Sequence, residues 1–144
     1  METLAFYMML LSLLVNPHPL SVEVVDGMPS DIGGQFIQHG TRNTIRISVD
    51  SYDRLATLYH ELGHYIDYNY LDDEERARYK KWRGISDWCN EDEWRCRPRE
   101  AFAEDFQNMV LHMTGNFYNN STALKRLDRD GFRWFRRFLV ESIN

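Results

Sequence analysis

The sequence predicts an α+β domain in which one helix and three short strands precede a block of helices, with the helices segregated from the sheet. Three observations carry this reading. Before residue 50, β-favouring residues alternate in short runs bounded by turn residues; after it, apolar residues recur at spacings of three and four. The length of 144 residues makes one domain, 1–144, able to bury about two-thirds of its unfolded surface.

The run from Leu4 to Val15 is apolar apart from Ser12. Glu2 precedes it where a signal peptide carries Lys or Arg, and Asn16, Pro17, His18 and Pro19 follow where a small-x-small cleavage site is needed. It is also too short to span a bilayer. It therefore reads as a buried first helix over residues 2–15, ended by Pro17, which pushes the preceding residue out of the helical region. Leu20 to Val25 alternates as a strand and closes at Asp26-Gly27. After a loop through Pro29, Gly33 and Gly34, Gln35 to Gln38 forms a short strand and Gly40 to Asn43 a turn. Thr44 to Val49 completes the sheet, with Ile45, Ile47 and Val49 on one face.

A long helix follows to about Leu71, with Asp50 or Ser51 as N-cap and Asp53 adding negative charge to its first turn. Leu55, Leu58, Leu62 and Ile66 form its core stripe. Asp72 to Glu75 begins a second, charged helix that carries Tyr79 and Trp82 and stops at Gly84. Residues 85–97 form a loop dense in Trp, Cys and acidic residues. Pro98 suits the first turn of the next helix, which runs to Met113 with Phe102, Phe106, Met109 and Met113 as its stripe and Gly115-Asn116 as its stop. A polar loop at 119–122 leads to a last helix over about 128–143. There Phe132, Phe135, Leu139 and Ile143 face inward, and Arg133, Arg136 and Arg137 form a solvated face.

Composition narrows the function classes. Aromatic residues make up 14% of the chain, so the core should be rich in Tyr, Phe and Trp. A net charge of −5 argues against nucleic-acid binding, which needs a surplus of Lys and Arg. No nucleic-acid or membrane partner is expected, and the domain is expected to act as a monomer. Cys89 and Cys96 are too few for a disulfide scaffold, and with His112 or His39 they lack zinc-finger spacing. They bridge in an oxidising compartment or stay reduced in a cytosol. The compartment stays open: cytoplasmic is favoured, secreted if residues 1–16 act as a signal peptide.

The chemistry lies in His60-Glu61-Leu62-Gly63-His64. On a helix the two histidines stand at i and i+4 and reach one metal ion, while Glu61, one step away, is placed to take a proton from an attacking water without being a ligand. A catalytic zinc needs a third protein ligand, and no further histidine follows at the metzincin spacing: position 67 is Asp and position 70 is Tyr. Glu100 is the choice, because it opens a helix otherwise apolar enough to be buried, where a lone carboxylate costs several kcal/mol unless paired or metal-bound. Glu104, one turn later, is placed to orient a zinc-bound histidine through its outer nitrogen, and Asp67 could do the same from the motif helix.

The stretch His60-Glu-Leu-Gly-His-Tyr-Ile-Asp67, paired with Glu100-Ala-Phe-Ala-Glu-Asp-Phe106, resembles the catalytic domain of anthrax lethal factor and the Pro-Pro endopeptidases, which carry H-E-x-G-H-x-x-D and E-x-F-A-E-x-F motifs. The resemblance spans residues 1–144 in element order, with the two motifs as its specific part. It implies a minimal zincin fold of the gluzincin kind, one Zn2+ per chain on His60, His64 and Glu100, Glu61 as general base and Glu104 behind the ligands. That family places a catalytic tyrosine shortly before the third ligand, where this chain has Glu93-Trp94-Arg95. The oxyanion-stabilising role is thus open among Tyr79, His39 and Arg95.

The function expected is zinc-dependent endopeptidase activity, with an extended peptide or protein substrate held along the edge strand 35–38. Asp87, Glu91, Asp92 and Glu93 point to neutral or basic peptides. Two alternatives stand beside it: an ImmA-type protease specific for one regulatory protein, and a catalytically inactive, zinc-stabilised binding protein.

Overall fold

The computed structural model describes residues 2–14, 18–85, 98–115 and 127–143. Among them the chain is α+β, with five helices and one open, mixed, three-stranded sheet. The elements are α1 (Glu2–Leu14), β1 (Leu20–Val25), β2 (Gly34–His39), β3 (Arg42–Ser48), α2 (Arg54–Tyr70), α3 (Asp73–Arg83), α4 (Pro98–Met113) and α5 (Arg129–Ile143). No helix among the described residues is long and apolar enough to cross a membrane.

The sheet order is β1-β3-β2, with β3 parallel to β1 and antiparallel to β2. The predicted alternation holds on β3, where Ile45 and Ile47 are fully buried. The β2–β3 turn is tighter than the expected Gly40–Asn43, because Arg42 already pairs with His39 and Gly40 takes the positive φ that a two-residue turn requires. Buried Asn43 is satisfied on both sides: its Nδ2 donates to the Pro19 carbonyl at 3.2 Å and its Oδ1 accepts from Asn69 at 3.1 Å.

Two expectations for α2 are corrected. Asp53 is itself the N-cap, not a first-turn residue, because its carboxylate accepts the Ala56 N–H at 2.9 Å. The stripe holds only in part: Ile66 is buried and Leu62 packs against the core, but Leu55 is 47% exposed, and Ala56, Gly63 and Tyr65 are buried outside it. The reason is that α2 is clasped from two sides: Tyr65 meets Phe36 of the sheet at 6.2 Å between ring centroids, while Gly63 lies against Ala103 of α4. Large apolar residues mark only the first of those contacts.

The remaining helices close the core. A capping box formed by Asp72 and Glu75 starts α3, and Gly84 in the left-handed region ends it. Tyr79, Phe102, Phe135 and Phe138 interlock at 5.2–6.3 Å, and Trp82 stacks on Trp134 at 3.8 Å, as the aromatic composition predicts. The helix α1 buries Phe6 and Met9, but Leu4, Tyr7, Met8 and Leu11 stay exposed, so it is covered on one face instead of all round. Arg133 and Arg137 are exposed and Arg136 is half-buried. The polar loop 119–122, the acidic loop with Asp87, Glu91, Asp92 and Glu93, and Cys89 and Cys96 lie outside the described residues.

Candidate metal centre

The cap at Asp53 sets the start of α2, and the 3.6-residue repeat then stacks His60 above His64, with ring centroids 4.9 Å apart and the rings edge to face. The close approach of α2 and α4 at Gly63 and Ala103 brings the first turn of α4 across from them. A Cβ at Gly63 would lie 2.6 Å from the Ala103 Cα, so only glycine permits this separation. Glu100 then reaches both rings: its Oε2 is 3.2 Å from His60 Nε2 and its Oε1 is 3.4 Å from His64 Nε2. Ligand atoms of His60, His64 and Glu100 lie within 4.8 Å of one another, the one group among the described residues that could hold a metal ion.

The electrostatics follow from this proximity. Burial alone would raise the Glu100 carboxyl, but the hydrogen bonds and charges of His60 and His64 override it and hold the group at about 2. Burial opposes the charged form of His60, yet Glu100, Glu61 and Glu104 together raise its pKa. For Glu61 the balance runs the other way. Burial pushes its carboxyl up, against the pull of both histidines. A carboxyl raised in this way holds a proton more readily than an exposed glutamate does.

Glu61 also faces the sheet. The Phe36 backbone N–H hydrogen-bonds its carboxylate, and Gly34 lies so close that a Cβ there would sit 2.5 Å from Thr57 and 3.1 Å from the Glu61 side chain. The Ser48 N–H donates to the Gly33 carbonyl at 2.8 Å, so Gly33 points toward β3. Because backbone direction alternates along a strand, Gly34, Phe36 and Gln38 turn their N–H and C=O groups to the free edge of β2. Within the predicted strand 35–38 the outward residues are thus Phe36 and Gln38, and the Phe36 N–H is already taken by Glu61. A cleft of about 340 Å³ lies along this edge, lined by Glu61, His64, Phe36, Tyr68, Arg99 and Glu100 among others.

Glu104 is buried, and its charge raises His60. Other predicted residues take different places. Asp67 is committed elsewhere: it accepts Arg76 Nε at 2.7 Å and lies 3.5 Å from Arg99 Nε, so its carboxylate serves two arginines, with no hydrogen bond to either histidine. Tyr79 is 2% exposed and donates its hydroxyl to Asp105 Oδ2 at 2.7 Å, which removes it as an oxyanion stabiliser. His39 sits at the exposed far end of β2, about 17 Å along the strand from Gly34. Arg95 lies outside the described residues. Sequence reasoning missed Tyr68 and Arg99, although their spacing offered a signal: Tyr68 is four residues after His64 and Arg99 adjoins Glu100. No protein-family model, curated protein or solved structure matches the chain.

Proposed function

We propose that the chain is a zinc-dependent endopeptidase on a minimal zincin-like domain, with His60, His64 and Glu100 as ligands and Glu61 as general base. The convergence of those three ligand atoms within 4.8 Å, with Glu61 beside them in a cleft along a free strand edge, carries the reading. The donor set fits zinc: two imidazoles and one carboxylate are a set used in catalytic sites, and their half-buried placement leaves a side open to the cleft. A bound zinc ion supplies Lewis acidity, drawing charge from the scissile carbonyl and making water more acidic.

The chain's own groups do the rest. Glu61 accepts a proton from the attacking water at its carboxylate as the new C–O bond forms, then delivers that proton to the leaving nitrogen as the C–N bond breaks. The Phe36 N–H steadies the carboxylate that makes both transfers. Glu104 favours the orientation of His60 through its charge. The outward groups of β2 pair with an extended peptide, with main-chain hydrogen bonds supplying register.

The test is metal analysis of the purified chain together with digestion of a peptide library read by mass spectrometry. Stoichiometric zinc and cleavage that a chelator abolishes are expected, and Glu61→Gln should keep the zinc and lose the cleavage. A chain that holds zinc and cleaves nothing is a binding module, and one that takes up no zinc has another function altogether.

A further inference from the structure

Water attack on a peptide places negative charge on the former carbonyl oxygen, and a preorganised donor facing that oxygen is a large part of catalysis in such sites. The described lining of the metal cleft offers few donors. The Phe36 N–H is engaged by Glu61. Arg99 is 68% exposed and directed to Asp67 by its Nε contact. Tyr68 remains.

We propose that the Tyr68 hydroxyl donates the hydrogen bond to the scissile carbonyl oxygen in this cleft, a role that none of the sequence motifs fills; the proposal rests on the metallopeptidase reading above. Tyr68 stands one turn after His64 on α2, and a long helical side chain leans toward the N-terminus of its helix, which is the direction of His64. Its ring rests against Phe36 at 6.1 Å between centroids, which braces it beside the same residue whose N–H holds Glu61. It is half exposed, it lines the cleft with Glu61, His64 and Glu100, and its hydroxyl has no hydrogen-bond partner among the described residues. A braced aromatic ring carrying an unengaged donor beside the ligands is what a carbonyl oxygen requires, and the ring fixes that donor before substrate arrives.

Tyr68→Phe keeps the ring and its contact with Phe36 while deleting the donor. The cobalt(II)-loaded protein and this variant are titrated with acetohydroxamate, followed by visible absorption. The variant should take up cobalt like the parent and bind the hydroxamate about 10-fold more weakly, as for one lost hydrogen bond. On any peptide the parent cleaves, kcat should fall about 100-fold with KM within about 2-fold. Equal hydroxamate affinity in parent and variant overturns the role of Tyr68 and leaves the metal reading standing. Failure of the parent itself to take up cobalt overturns both.

Discussion

Replacing Gly63 by Ala should damage the proposed zinc site from a position that contributes no ligand. The added Cβ would lie 2.6 Å from the Ala103 Cα and 3.1 Å from its carbonyl oxygen, where ordinary contact begins at 3.4 Å. The obstacle is backbone, so no rotamer change relieves it, and α2 and α4 must separate by roughly 0.8 Å at this crossing. Glu100 lies one turn before Ala103 on α4 and moves with it, away from histidines it now meets at 3.2 and 3.4 Å. That shift is several times the ~0.2 Å spread of metal–ligand distances, so the carboxylate must leave its rotamer to reach the same point. Zinc affinity should fall at least about 100-fold, close to 3 kcal/mol. Overpacking of this kind also costs about 1–3 kcal/mol of stability. Zinc affinity is read by competition with a chromophoric chelator, and stability by thermal melting of the metal-free protein, where a loss of roughly 5–10 °C is expected. Adding Ala103→Gly should not rescue the variant, since the nearest atom is Cα. A Gly63→Ala protein with parental zinc affinity and parental melting would refute the idea that this contact sets the ligand geometry.

Gly34→Ala should lower kcat while leaving zinc content unchanged, because the new methyl presses on Thr57 and Glu61 but on no ligand; a parental rate would show that Glu61 tolerates displacement. Tyr79→Phe should cost about 1–2 kcal/mol in urea unfolding, since buried Asp105 loses the 2.7 Å hydrogen bond and keeps only Arg83. Peptide cleavage should persist, and its loss would return Tyr79 to the site. In the metal-free protein the Glu100 carboxyl is held at about 2, below its ordinary 4.5, so its contribution to stability is present above about pH 4.5 and lost as pH falls toward 2. His60 is raised above 6.5, so its contribution is full below that value and lost as pH rises through its folded pKa, and ionisation of buried Glu61 works in the same direction. Melting temperature without zinc should therefore peak near pH 4.5, where the Glu100 gain is complete and the Glu61 loss begins, and fall further above 6.5 as His60 loses its proton. Zinc should lift the alkaline side by replacing that proton; a metal-free melting temperature that climbs through about pH 7 contradicts this pairing.

Local pattern made much of the fold readable. Alternation named β3 because its one buried face forces a period of two, although the alternating Val22 and Val24 of β1 are exposed, and Pro98 and Gly84 marked helix ends through backbone restrictions that act within one or two residues. The stripe on α2 was read only in part, at Leu62 and Ile66, because that helix is buried on two faces: Gly63 and Tyr65 lie roughly 200° apart, one toward α4 and the other toward the sheet. A contact made by glycine and alanine carries no hydrophobic signal, since the residues there are small so that backbones can approach.

By itself the sequence determined that His60 and His64 share a helix face with Glu61 beside them, because helical spacing is a local property of the chain. It also singled out Glu100 by the cost of burying a lone carboxylate, but it could not bring that residue to the histidines. Only the tertiary structure decided that, by closing α2 on α4 at Gly63, and only it sent Asp67 to Arg76, sank Tyr79 against Asp105 and set Tyr68 in the cleft. Which partner a side chain meets across 30 or 40 residues depends on how helices cross, and crossing geometry arises from packing in three dimensions, not from periodicity along one.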